Sequence, residues 1–364
     1  MDDHLQLLFD EYTVHGSRAK PLLFPDMSHL ELSLPEHHFV KRYRLDHDAF
    51  DVLHQELLPH LRPDVSFGRP RIPNVTRILA TLRFLANPTM RQTAAGDSLG
   101  LSQATVSRIL PEVAGAVCKL KPKYLRWPEE GEETWQVQQG FASMAPSRYP
   151  GTTGFPRVIG CIDCTHVPVR VAGVPERECY RDREGNLSLN VQAICNHECM
   201  FTNVVARWYG SVHDSRIFAM SKIGGEFARG MRTGILLGDQ GYPCLPYLMT
   251  PFAFVNNAAE ERYQFCHVQT RNCIERAFGL LKQVWQSTAG TIDLDVDTAR
   301  TTTVACMVLH NFRRYHRQQQ HDSLLTDSNS ISTTTLPASV SSSSGTSTSA
   351  GTMARDAIVQ QYFA

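Results

Sequence analysis

Two apolar, strand-like runs in this chain each end on an aspartate: Asp163 closes VIGCID and Asp239 closes ILLGD. A third acid, Glu275, lies within the helix-like segment RNCIERAFGLLKQVW. A lone carboxylate at the mouth of a hydrophobic strand is costly to desolvate, so such a residue calls for a partner or a metal. Carboxylates brought together from separate elements offer hard oxygen ligands to divalent cations. That arrangement suits in-line displacement at phosphorus, where metals about 3.5–4 Å apart hold the attacking and leaving oxygens. The acids thus point to a metal-dependent nuclease of the polynucleotide-transferase kind.

Further motifs follow in one order between Phe39 and His316: VIGCIDCTHVPV, SLNVQAICN, WYGSVHDSRIF, LLGDQGYPC, LMTPF, AEERYQFCHVQTRNCIERAFGLLK and VACMVLHNF. The series resembles the PIF/Harbinger group of DDE transposases, and is nearest to its domesticated, transposase-derived nuclease branch. The resemblance implies an α/β, RNase H-like core with a mixed five-stranded sheet and flanking helices, preceded by an all-α helix-turn-helix domain. It implies catalytic roles for Asp163, Asp239 and Glu275, with Asp214 as a further metal ligand, and two Mg²⁺ or Mn²⁺ ions. It also implies double-stranded DNA as substrate, with cleavage alone or followed by strand transfer. In that group a separate Myb-like protein assists DNA binding and nuclear entry, so the expected location is the nucleus, and the cytoplasm when the partner is absent. A homo-oligomer stays open.

Each acid has a plainer reading too. Asp163 suits a turn before CTHV, and Asp239 a turn with Gln240 and Gly241. Glu275 suits an exposed pair with Arg271 or Arg276, and Asp214 the cap of the helix it begins. His166, three residues beyond Asp163, fits a structural role or a phosphate contact, and His213 is equally ambiguous. Arg271 and Lys282 flank Glu275 and are candidate DNA phosphate contacts, with a solvated face as the default. Tyr180, Arg181 and Arg183 form a polar loop within reach of substrate.

In the core, RVIGCID and HVPVRVA read as neighbouring strands. SLNVQAICN and FTNVVARWYG read as two more, turning at NHECM. One helix over SRIFAMSKIGGEFARG then leads to the buried strand TGILLGD. A strand–helix–strand crossover beside an antiparallel meander makes a mixed sheet. The Glu275 helix should bury Ile274, Phe278, Leu281 and Trp285.

Ahead of the core, apolar spacing over IPNVTRILATLRFLA predicts a helix. MRQTAAGDSLG predicts a short one, and Ser102 caps SQATVSRIL, which Pro111 should end or kink. This is a helix-turn-helix pattern, with Gln103, Thr105 and Arg108 facing outward as DNA contacts. Residues 38–61 form one or two amphipathic helices with Phe50, Leu53 and Leu57 inward. The expected units are an extension (1–37), a helical domain (38–126), a linker with a short helix in it (127–156), the nuclease core (157–316) and a disordered Ser/Thr-rich tail with a short terminal helix (317–364).

A chain of 364 residues, 42% hydrophobic, can bury a large core. No apolar stretch reaches the roughly 18 residues needed to span a bilayer. MDDHLQLLFDEY lacks a signal-peptide pattern, so the ten cysteines read as reduced thiols. Cys161–Cys164 and Cys195–His197–Cys199 lack a second pair for a structural zinc. The formal net charge is zero, but the stretch from His60 to Arg126 is basic, and phosphate binding follows local charge. Two rival readings stand beside the nuclease: a catalytically silent DNA-binding scaffold, and a hydrolase of RNA–DNA hybrids.

Overall fold

The computed structural model describes residues 27–64, 72–87, 96, 98–144, 154–173, 175–323 and 347–364. The start of the chain, most of the segment MRQTAAGDSLG where a short helix is expected, and the tail expected to be disordered (324–346 of it) lie outside the described residues. Ten helices matter here: α1 (Glu36–Tyr43), α2 (His47–Leu57), α3 (Asn74–Leu85), α4 (Gln103–Lys119), α5 (Glu132–Ala142), α6 (Asp214–Ala219), α7 (Lys222–Ala228), α8 (Ala258–Val284), α9 (Val296–Ser323) and α10 (Ser349–Tyr362).

The sheet has five strands, β1 (Val158–Pro168), β2 (Ser188–Cys195), β3 (Phe201–Tyr209), β4 (Ile235–Leu237) and β5 (Leu248–Met249), in the order β3-β2-β1-β4-β5. β1, β2 and β3 form an antiparallel meander, while β4 runs parallel to β1 and β5 parallel to β4. α6 and α7 make the crossover that a parallel neighbour requires. This is the mixed sheet with flanking helices that the sequence leads one to expect.

Three details differ. RVIGCID and HVPVRVA are not neighbours but one continuous strand, because every residue from Cys161 to Pro168 finds a partner on β2. The fifth strand is instead the Leu248–Met249 pair of LMTPF. The helix after Asp214 is broken in two at Ser221, whose hydroxyl accepts from Gly224 N and caps α7.

β4 is short. It pairs with β1 only over Val158–Cys161, and the chain at Ile292 rejoins the same edge at Pro168–Arg170. Between them the β1 edge from Ile162 to Val167 lies open, leaving a notch in the sheet. Gly160 lets β1 and β2 close up just before it, since a Cβ there would fall 2.4 Å from an Ile194 methyl.

α8 covers one face of the sheet. Asn257 caps it by accepting from Glu260 N, and Glu260 returns a bond to Asn256 N, a reciprocal N-terminal lock. Ile274, Phe278, Leu281 and Trp285 are all buried, as the spacing predicts. α1 buries Phe39 and Tyr43, and α2 Phe50, Leu53 and Leu57, in a hydrophobic cluster that also takes in α3, α4, α9 and one sheet face. α4 passes through Pro111 to Lys119 rather than stopping there. The one missing backbone donor is outweighed by a buried face running Val106, Ile109, Leu110, Val113, Ala114 and Val117, with each large apolar side chain contributing roughly 1.5–3 kcal/mol.

The basic stretch is partly internal. Arg77 is buried, donating to Glu112 Oε1 at 2.8 Å and Arg62 O at 2.7 Å, while Lys123 meets Glu56 at 2.6 Å. α5 occupies the segment expected as linker and buries Phe141. α9 runs on to Ser323, past the expected end of the core, because Arg and Gln sustain a helix and no breaker intervenes. α10 is longer than expected and docks on the core: Phe363 packs on Phe155 and Tyr263, and Cys244 Sγ donates to Gly351 O at 3.4 Å.

Candidate active site

Asp163, Asp214, Asp239 and Glu275 line one cleft of about 350 Å³ at the notch, together with Cys164, His166, Arg183, Asn190 and Arg271. Each acid arrives on a different element. Asp163 sits on β1 where β4 stops pairing, and Asp239 lies two residues beyond the end of β4. Asp214 is the first residue of α6, after the cap residue His213, and Glu275 lies on α8.

Local hydrogen bonds fix the carboxylates. Cys164 N donates to Asp163 Oδ1 at 2.7 Å, and Gly241 N to Asp239 Oδ1 at 3.0 Å. Asp239 thus makes the turn that its Gln-Gly sequence suggests, and makes it at the cleft. Asn190 Nδ2 donates to Asp214 Oδ1 at 2.9 Å and to Val212 O at 2.7 Å. Asn190 Oδ1 is buried with no hydrogen-bond partner among the described residues.

Arg271 is not on a solvated face. Its side chain is 15% exposed; Nη1 donates to Asp163 Oδ2 at 2.9 Å and Nη2 to Glu275 Oε1. The plain pairing of Glu275 with Arg271 is therefore present as well. Glu275 remains 47% exposed, against 19% for Asp163.

Burial lifts the Asp163 carboxyl to about 7 against the pull of Arg271, with Asp239 and Asp214 adding to the rise. Asp239 is raised for the same first reason, again opposed by Arg271 and reinforced by Asp214. Desolvation leads both rises, and the neighbouring carboxylates add to them; four carboxylates line the cleft against two guanidiniums, Arg183 and Arg271.

The donor set fits a hard divalent cation in kind: carboxylate oxygens, the orphaned amide oxygen of Asn190 and a shortage of positive charge. Among the described residues, however, no three His, Cys, Asp or Glu side chains stand close enough to hold an ion together. Arg271 occupies that role for Asp163 and Glu275.

The other candidates scatter. Gln103 and Arg108 are exposed on α4 and Thr105 is half-buried, its hydroxyl bonded to Ser102 Oγ at 2.9 Å. Lys282 is half-buried and donates to His166 O at 3.3 Å, bracing the open β1 edge. Tyr180 is buried against Tyr209 rather than facing substrate, and Arg181 is paired with Glu178. Arg183 reaches the cleft, donating to His213 Nδ1 at 2.7 Å. Cys161 and Cys164 face opposite sides of β1, toward Thr270 O and Tyr242 OH.

The sequence reading missed the polar face of β2. Ser188, Asn190 and Gln192 alternate along a fully buried strand, and Gln192 Nε2 bonds Asp214 O at 3.2 Å and Tyr242 OH at 3.0 Å. Polar residues at period two inside an apolar strand were the available signal.

Residues 162–311 match the family described as DDE superfamily endonuclease. The human and bovine proteins named "Putative nuclease HARBI1" are each 29% identical over 245 residues, 66% of this chain and 67% of the relative. The Arabidopsis thaliana protein ALP1-like is 25% identical over 233 residues, 59% of this chain and 55% of its own length. No solved structure matches the chain. The stretch that brings the acids to the notch thus matches the DDE superfamily endonuclease model, and the chain is similar to the Harbinger transposase-derived nucleases.

Proposed function

We propose that the chain is a divalent-metal-dependent endonuclease of double-stranded DNA, with Asp163, Asp239 and Glu275 as the catalytic acids and Asp214 as a further ligand. One observation carries the reading: acids far apart in sequence line a single cleft, where burial above all lifts the carboxyls of Asp163 and Asp239. Asp163, Asp214 and Asp239 would hold Mg²⁺ or Mn²⁺, with Glu275 joining once Arg271 releases it. When bound, such ions supply the positive charge that a phosphodiester needs as negative charge builds on its oxygens. The protein's own contribution is to hold the acids on rigid elements and to keep the cleft partly dry.

Gln103, Thr105 and Arg108 on α4 are proposed to meet duplex DNA as the second helix of a helix-turn-helix. A nuclear location with a Myb-like partner follows from the same reading.

Purified chain would be incubated with plasmid or terminal-repeat DNA and Mn²⁺, beside Asp163→Ala and Asp239→Ala. Cleavage by the parent, lost in both variants, is the expected result. DNA binding without cleavage in all three would instead mark a silent scaffold, the reading that the Arg271 bridge favours. An RNA–DNA hybrid cleaved in preference to duplex would change the substrate class.

A further inference from the structure

Beyond the acids, a hydrogen-bond chain with a fixed direction ends on His166 in the wall of the cleft. Asp182 Oδ2 accepts from Ser188 Oγ at 2.9 Å, and Ser188 Oγ lies 2.8 Å from His166 Nδ1. Asp182 is anchored at its other oxygen, which accepts from Glu184 N at 3.0 Å and Asn186 N at 2.9 Å. A serine hydroxyl carries one proton, and a carboxylate only accepts. With its proton committed to Asp182, Ser188 can only accept from the imidazole. Nδ1 of His166 must therefore carry the ring hydrogen, and Nε2 is left with its lone pair. Nε2 has no partner among the described residues, and the ring is 42% exposed in the wall of the acidic cleft.

We propose that His166 is a catalytic proton acceptor for phosphodiester hydrolysis at this cleft, oriented by Ser188 and Asp182. The proposal rests on the nuclease reading above and adds a residue to it. A water between His166 and the scissile phosphate gives a proton to Nε2 while its oxygen forms the new bond to phosphorus. The bond from phosphorus to the 3′ oxygen breaks, that oxygen keeps the electron pair, and it takes up a proton from solvent or from the imidazolium. Asp182, through Ser188, faces the charge that develops on the ring, and desolvation of that buried carboxylate strengthens the effect. His166 lies on the opposite face of β1 from Asp163, yet both border the notch because the strand edge between them is open.

The chain's direction can be reversed without removing a side chain. In Asp182→Asn, an amide N–H facing Ser188 turns the serine into a donor toward Nδ1. The imidazole proton then moves to Nε2, and the acceptor is lost. Two measurements follow on ¹⁵N-histidine-labelled full-length chain, with the His166 signals identified by their absence in His166→Gln. The parent should show a Nδ1–H ring and Asp182→Asn a Nε2–H ring. Single-turnover cleavage of duplex DNA should fall by about 10²–10⁴-fold in His166→Gln and in Asp182→Asn. A parent ring protonated at Nε2, or a His166→Gln chain that cuts as fast as the parent, overturns the relay and leaves the nuclease standing. A parent that cuts no DNA overturns both the nuclease and the role of His166 in it.

Discussion

Replacing Arg271 with Met keeps most of the side-chain volume and deletes the charge that faces Asp163. In the parent, burial holds the Asp163 carboxyl at about 7, so folding favours its protonated form. The stabilisation tied to that proton is complete below the ordinary value of 3.8 and is lost as pH rises through about 7. Without the guanidinium 2.9 Å away, the ionised form loses its nearest counter-charge and the folded pKa climbs further. At about pH 5.5 both proteins hold a protonated Asp163 and differ by about 1 kcal/mol for lost hydrogen bonds. Above pH 7 the gap widens by about 1.4 kcal/mol per pH unit, so about 2 kcal/mol more is lost at about pH 8.5. That stays under the roughly 3–5 kcal/mol ceiling for a buried charge left unpaired. Urea unfolding with a metal chelator at the two pH values, read by tryptophan fluorescence, measures the difference. In an Asp163→Asn background the pH-dependent part should vanish. Equal destabilisation at both pH values, or survival of the pH dependence in that background, would refute the electrostatic account.

Asn311→Ala removes bonds to Tyr124 O and Phe201 O, both 2.6 Å, and from Phe201 N at 2.9 Å. Urea midpoints should report a loss on the order of 3 kcal/mol, since buried backbone groups are left unpaired. His310 is buried and its pKa is pushed down to about 4 by desolvation, so the unfolded chain protonates first. The stability it contributes is present above 6.5 and is lost as pH falls toward 4. His310→Gln keeps a donor for Cys199 O and should flatten the acid limb of a stability–pH curve by up to about 1.4 kcal/mol per unit. Pro111→Ala restores a backbone donor inside α4 and should raise stability on the order of 1–3 kcal/mol, seen as a higher Tm.

Apolar, strand-like runs showed most of the sheet in advance, and the aspartates that end two of them mark the cleft. Local pattern failed where a tertiary partner decided the outcome. CTH looks like a break between strands, yet β2 offers partners throughout and β1 runs on. Pro111 looks like a stop, yet the apolar face beyond it carries the helix. Arg271 and Glu275 looked like surface charges four apart, because nothing in α8 reveals that Asp163 lies opposite. The Asp182–Ser188–His166 chain spans a loop and two strands, and only the antiparallel register brings its members together.

Among the described residues no strand pairs with the edge of β1 between Ile162 and Val167, and a strand edge left without a neighbour is of the sort that recruits strands from other molecules. Charged side chains at a strand edge disfavour such pairing, and four carboxylates line the cleft at this one. Inactive controls that convert Asp163, Asp214 and Asp239 to neutral residues all at once would strip that guard and invite edge-to-edge association. Single replacements, checked by light scattering before any assay, preserve it.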